Sequence, residues 1–491
     1  MIFVQFLIHY PLGKKRFETH LKQIVLNIKY EYESGRLSAI GLLSVVIEKL
    51  PSTLLEEFAQ FFFLPLVLQL VNDDSDKCRE AVSKSISSIF QRVSMDILQT
   101  LYDYMLRWSS ESSSGNGGMQ RASAQLLGIM VESRQDFLKR GSNASDLIAL
   151  LTQILDQELN KSAFSSNYRN DDWELGYFCL ICFEKINRVF PIVSNRHDNI
   201  WNMVIKGLTH DHLWIKQVAS RIINANLVRY DPQKYSSNTG SSQKDGCIIY
   251  SIPGSLYIIA KGLCQQLDVA NDQLTETIST LAIKSLTWII QAMHYEPKLC
   301  FKENQIEDDE NEKNPRNEHS KSPALWLMTR LSNIAKNKGE LRREAVFKCF
   351  ASFATSCPIE IISPHLDLML IPLHRAYSEA ENILQQKQDR DNYRDNDVDA
   401  SSLDFLKEVL QVLEDKCGTE EFISVYTTIK NKAKERRDSR KQEIAAEAIR
   451  NPEAAAKRKI QKQLREKQRK KRRMNEKKMG IKRKKKQSSL A

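Results

Sequence analysis

The residues best suited to chemistry in this sequence are cations gathered near its end. Lys457, Arg458 and Lys459 form one cluster, Arg469, Lys470, Lys471, Arg472 and Arg473 a second, and Lys477 with Lys478 a third. Lys482, Arg483, Lys484, Lys485 and Lys486 follow beyond Gly480. Clustered ammonium and guanidinium groups neutralise phosphates and release their counterions, so the pattern fits contact with an RNA or DNA backbone at little sequence preference. No aromatic residue follows Tyr426, which removes base stacking from this segment. The run 482–486 also suffices as a nuclear import signal. A membrane-surface role fits less well, because the segment has no broad apolar face.

Other constellations are weaker. Cys179 and Cys182 have the C-x-x-C spacing of a metal or redox pair, but their flanks are apolar and no second pair accompanies them. Core packing is the reading. His210-Asp211-His212 falls at a turn while the remaining histidines are dispersed, so a structural role is expected there too. The sequence has no G-x-x-x-x-G-K-[ST], no H-E-x-x-H and no G-x-S-x-G. Neither an enzyme, a metal site, a cofactor nor a small-molecule substrate is expected.

The elements that carry the cations differ from the rest of the chain in charge. Residues 430–491 hold 26 Lys+Arg and 7 Asp+Glu, a balance of +19, whereas residues 1–429 balance at −8 within a total of +11 over 491 residues. An acidic body of 1–429 thus precedes a basic tail of 430–491. Asn451-Pro452-Glu453 writes a helix start, with Asn at the N-cap and Pro in the first turn, and Gly480 is placed to end that helix. Ile460 and Leu464 are its clearest apolar pair, too few to pack. The tail is therefore expected to be partly helical or disordered until phosphates neutralise it. Nine cysteines, an odd number scattered along the chain, suit a reduced intracellular protein. No run approaches ~18 uninterrupted apolar residues, so no membrane partner is expected.

The body repeats itself. Phe62, Phe63, Leu66, Val67 and Leu70 share a helical face, Asn72-Asp73-Asp74-Ser75-Asp76 break it, and Arg79-Glu80-Ala81-Val82 open a second amphipathic stretch. Arg36 and Arg121 occupy the place of Arg79 at distances of 43 and 42 residues, Lys216 opens a comparable stretch, and Arg343-Glu344-Ala345-Val346 repeats the tetrapeptide. This resembles HEAT or armadillo units, which run ~40–47 residues. The fold expected is all-α: a HEAT/armadillo-like solenoid whose two-helix units share one core, with small residues such as Ala81, Ala122 and Ala219 allowing close approach. The anchors Arg36, Arg79, Arg121, Lys216 and Arg343 either pair with acidic turns of a neighbouring unit or stay solvated. Polar stretches near 109–118, 231–246, 303–322 and 386–402 read as loops.

Several segments carry a more specific likeness. Tyr10-Pro11-Leu12-Gly13-Lys14-Lys15-Arg16, Tyr30-Glu31-Tyr32-Glu33-Ser34-Gly35-Arg36, the unit from Phe61 to Arg79, and Asn451-Pro452-Glu453-Ala454-Ala455-Ala456-Lys457 together resemble the C-terminal region of the U3 small nucleolar RNA-associated protein 20 family. The resemblance implies a very large HEAT-repeat component of the small-subunit processome, of which this chain is the C-terminal part. It implies a nucleolar scaffold with pre-rRNA, U3 small nucleolar RNA and processome proteins as partners in 18S rRNA maturation, and no active site to carry over. The alternative left open by the residues is a karyopherin-like or other nuclear HEAT scaffold that binds protein and uses the tail only for import.

Overall fold

Residues 75–92 set the local rule. The Ser75 hydroxyl accepts a hydrogen bond from the Cys78 N–H at 3.4 Å, Asp76 occupies the first turn and Arg92 the last, so both ends of the helix suit its dipole. Cys78, Val82, Ile86, Ile89 and Phe90 recur at helical spacing and are buried. The same logic recurs along the chain. The computed structural model describes residues 2–110, 117–161, 173–233, 254–268, 275–295, 322–336, 340–388 and 396–453, with isolated positions from 456 to 474.

The helices in chain order are α1 (Ile2–His9), α2 (Lys14–Asn27), α3 (Glu33–Lys49), α4 (Ser52–Asn72), α5 (Asp76–Arg92), α6 (Met95–Ser110) and α7 (Gly117–Ser133). There follow α8 (Gln135–Leu138), α9 (Asn143–Lys161), α10 (Trp173–Val189), α11 (Pro191–Ser194), α12 (Asp198–Gly207) and α13 (Leu213–Leu227). The last are α14 (Ser255–Leu267), α15 (Glu276–Tyr295), α16 (Pro323–Lys336), α17 (Glu340–Ser356), α18 (Ile359–Ile362), α19 (Leu366–Gln388), α20 (Asn396–Cys417) and α21 (Thr419–Arg450). Among the described residues there is no β-strand. Contacts divide the chain into two units, Met1–Pro372 with Leu406–Lys416, and Leu373–Phe405 with Cys417–Ala491.

The first unit is an α-solenoid of antiparallel helix pairs. α3, α5, α7, α10, α13, α15 and α17 are the second helices of successive pairs, and each packs on the next. Apolar residues of both helices in each pair form the continuous core, with Phe63, Phe90, Phe183 and Phe350 essentially buried. Small groups let the layers close up: a Cβ on Gly207 would stand only 3.1 Å from the Ala219 Cβ. Hydroxyls bridge neighbouring second helices, Ser87 to Ser133 at 2.8 Å and Thr287 to Ser352 at 2.9 Å. α4 is long and apolar enough to cross a membrane by length and composition. Its Leu55, Ala59, Phe62, Leu66 and Leu70 are instead buried in the helix stack.

Arginines at the ends of second helices brace one unit to the one before. Arg92 donates to the carbonyls of Ile47 and Leu50, the latter at 2.6 Å, at the end of α3. Arg134, 42 residues on, donates to Phe90 O at 2.8 Å and Val93 O at 3.0 Å at the end of α5. Arg229 reaches Asn187 Oδ1 at 3.3 Å near the end of α10, and the Trp288 indole donates to Tyr230 O at 2.7 Å. The carbonyls held by Arg92, Arg134 and Trp288 are acceptors that a helix end would otherwise leave unpaired.

The loop readings at 111–116, 234–246, 303–321 and 389–395 lie outside the described residues. At their margins α6 continues through Ser110, α19 runs to Gln388 and α20 begins at Asn396, because polar residues are acceptable in the terminal turns of a helix.

Candidate nucleic-acid interface

Gly418, at φ +87°, turns the chain from α20 into α21. Glu420 and Glu421 fill the first turn of α21, and Phe422 is its one buried residue. Tyr426 stacks on Phe422 at 5.7 Å and meets the His374 ring edge-on at 5.5 Å, which seats the first two turns on α19. Burial holds the His374 imidazole below its usual range, and the charges of Arg437 and Lys430 add to that. From Lys430 onward the helix carries almost no packing: apart from half-buried Ala433 and Asp438, residues 430–450 are exposed.

Lys430, Lys432, Lys434, Arg436, Arg437, Arg440 and Lys441 all stand exposed on this one helix. Thirty-two residues of α-helix extend about 48 Å. Two ion pairs along it stay open to solvent, Lys441 to Asp438 at 3.6 Å and Arg458 to Glu447. Asn451 ends α21 in an extended conformation with its N–H on Glu447 O at 2.8 Å, and helix resumes at Pro452. Lys457, Arg458, Lys459 and Lys471 are helical and exposed. Arg469, Lys470, Arg472, Arg473, Lys477, Lys478 and the run Lys482, Arg483, Lys484, Lys485 and Lys486 lie outside the described residues. The Asn451 start lies where the spacing predicts it. A continuous basic helix already crossing residue 430 was not foreseen, although the charge density rising at Lys430 was its signal.

The repeat anchors separate into different environments. Arg36 makes a two-point contact with Asp73 of the next unit, Nε to Oδ2 and Nη2 to Oδ1 each at 2.9 Å, and also donates to the carbonyls of Tyr30 and Glu31. Arg79 donates within its own turn, to Asp73 O and Asp76. Arg121 pairs with Glu174 of the following unit. Arg343 is half-buried in the first turn of α17. Lys216 is buried at 8% exposure, and among the described residues its ammonium has no hydrogen-bond or ion-pair partner.

Lys216 lies beside the His210-Asp211-His212 turn. The His210 Nδ1 accepts the His212 N–H at 3.0 Å, and the His212 ring stacks on Trp173 with centroids 3.9 Å apart. Tyr177 meets Trp173 edge-on at 5.7 Å and Trp214 at 6.3 Å. Burial pulls both imidazoles below the usual histidine range, and the Lys216 charge pushes the same way. Cys179 and Cys182 are buried in α10, where burial drives the Cys182 thiol up to about 12. Among the described residues no group of three or more His, Cys, Asp or Glu is placed to hold a metal.

The family described as small subunit processome component 20 homolog, C-terminal, matches residues 215–476, more than half of the chain. The chain belongs to that family. Its match takes in Lys216, all of α21 and two of the four basic clusters, 457–459 and 469–473. U3 small nucleolar RNA-associated protein 20 of Schizosaccharomyces pombe (strain 972 / ATCC 24843) is 24% identical over 461 residues, 93% of this chain and 17% of that protein. The protein of the same name in Saccharomyces cerevisiae (strain ATCC 204508 / S288c) is 22% identical over 485 residues, 97% of this chain and 18% of that protein. The chain thus spans less than a fifth of the length of these curated relatives. Among solved structures, the crystal structure of Kap121p aligns with 84% of this chain and 39% of its own at 11% identity and a TM-score of 0.41.

Proposed function

We propose that this chain is a non-enzymatic scaffold segment of the small-subunit processome, acting in the nucleolus in 18S rRNA processing and 40S subunit biogenesis. Its repeat array contacts assembly factors, and its basic tail fastens onto the phosphates of pre-rRNA and of the U3 ribonucleoprotein. The observation that carries this reading is the bare basic helix from Lys430, which buries almost nothing of its own and adjoins a body of opposite charge. A helix with little packing and a dense row of cations is suited to phosphate neutralisation. Family membership supplies the setting, and the printed names of the two relatives supply U3 RNA. The cluster 482–486 directs import.

Crosslinking in cells tests this. The tagged chain should recover pre-rRNA and U3 RNA. A version lacking 430–491 should stay in the cytoplasm, and one lacking 430–491 but given an unrelated import signal should enter the nucleus and lose most of that RNA. Recovery of protein cargo with no RNA, or undiminished RNA without the tail, would overturn the proposal.

A further inference from the structure

We infer that the surface where α10 and α13 begin is a stacking site for an unpaired RNA nucleotide, with Trp214 as the platform and Lys216 as the phosphate contact. This rests on the RNA reading above and adds to it a base contact, which the ring-free tail beyond Tyr426 lacks. Trp214 is 48% exposed and meets Tyr177 edge-on; Tyr177 in turn meets Trp173, which stacks on His212. An indole held at the surface by a packed ring cluster offers a base a prepared π-face, the arrangement by which unpaired RNA bases are usually gripped.

Lys216 supplies the charge. Its stem is buried, while its ammonium keeps an opening to solvent through which an anion can reach it. In two earlier units the residue of this register found one: Arg36 has Asp73 and Arg121 has Glu174. Lys216 has none among the described residues, though it sits deeper than either arginine. The His212 side chain also leaves the first turn of α13 uncapped, so N–H groups at the positive end of a helix dipole face the same place. Asp211, exposed on the turn, is the acidic neighbour to set against these.

The test is binding of the full 491-residue chain to two labelled probes, a single-stranded 12-mer of oligouridine and a duplex RNA of equal length. Trp214→Ala should weaken the single-strand affinity roughly 5- to 150-fold, from the usual worth of one stacked base, and leave the duplex affinity unchanged. Trp214→Phe should restore most of the loss, which a folding defect would not allow. Lys216→Met, which keeps the buried stem, should reduce the single-strand salt slope by about 0.7. If the wild-type chain binds neither probe, the RNA reading and this site fall together. If it binds duplex while Trp214→Ala leaves oligouridine affinity untouched, this site alone falls. Displacement of oligouridine from the wild-type chain by an acidic peptide, undone in Trp214→Ala, would give the surface to protein and overturn the proposal.

Discussion

Asp73 is the residue on which two units turn. Its side chain is fully buried, it takes both prongs of Arg36 from the unit before, and it also accepts the Ser75 N–H at 2.8 Å and the Gln69 amide. Burial alone would raise its carboxyl, but Arg36, Ser75 and Gln69 together hold it below the usual carboxylate range. A depressed folded value means that its stabilisation is complete above the unfolded value of about 4 and is lost as pH falls through the folded one. Asp73→Asn should cost about 3 kcal/mol at pH 7, the usual result of stripping one partner from a buried pair. Thermal melts at pH 7 and at pH 3 should show the gap from wild type closing on acidification; a gap equal at both would refute the ionic account. This pair was legible in advance, since a repeat-spaced arginine and an acidic turn are both visible in the letters. The Trp173–Trp214 cluster was not read, although the two indoles stand 41 residues apart, one repeat, and comparison at that offset exposes them.

At the scale of helices, the fold follows from apolar spacing and capping, whereas the braces between helices do not. Arg92 and Arg134 look like ordinary cations in a last turn, where the dipole favours them. Only three-dimensional stacking shows that each grips the end of the preceding second helix. Arg134→Ala should leave the Phe90 and Val93 carbonyls without their donor, at about 1–3 kcal/mol. Arg134→Lys should recover little, because one ammonium cannot reproduce the planar fork that meets two carbonyls while holding Asp136 at 2.9 Å. Hydrogen exchange should quicken in the last turn of α5 in both variants. Equal protection in wild type and Arg134→Ala would show the brace to be idle. The register of the basic tail was similarly half-visible: the Asn451-Pro452 break is written in the sequence, but the continuity of α21 from Thr419 through Lys430 depends on Phe422 and Tyr426 finding a seat on α19.

For the whole chain, the +11 total conceals a division between a body at −8 and a tail at +19. Self-repulsion within the tail and attraction to phosphates have one origin, and added salt weakens both. If the tail neutralises ~6–10 phosphates, affinity for duplex RNA should fall about 10³- to 10⁵-fold between 50 and 200 mM salt. A titration across that range measures it, and an affinity independent of salt would exclude an electrostatic tail. The body's role is less legible from composition, because some of its charges serve pairing between neighbouring helices: Arg221 on Glu184 at 2.6 Å and Lys185 on Glu132 at 2.8 Å are two such pairs.

The arginine braces also say where the chain tolerates being lengthened. Arg134 grips carbonyls 41 and 44 residues before it, so added residues inside that span must loop out between paired helices rather than displace the grip. Between α9 and α10 the sequence already carries 162–172, and Arg121 still meets Glu174, 53 positions on. A fluorescent reporter inserted in that connection should leave the array's registration whole. The same reporter placed between Val93 and Met95 would sit beside the atoms that Arg134 holds, and would pull two repeats out of step.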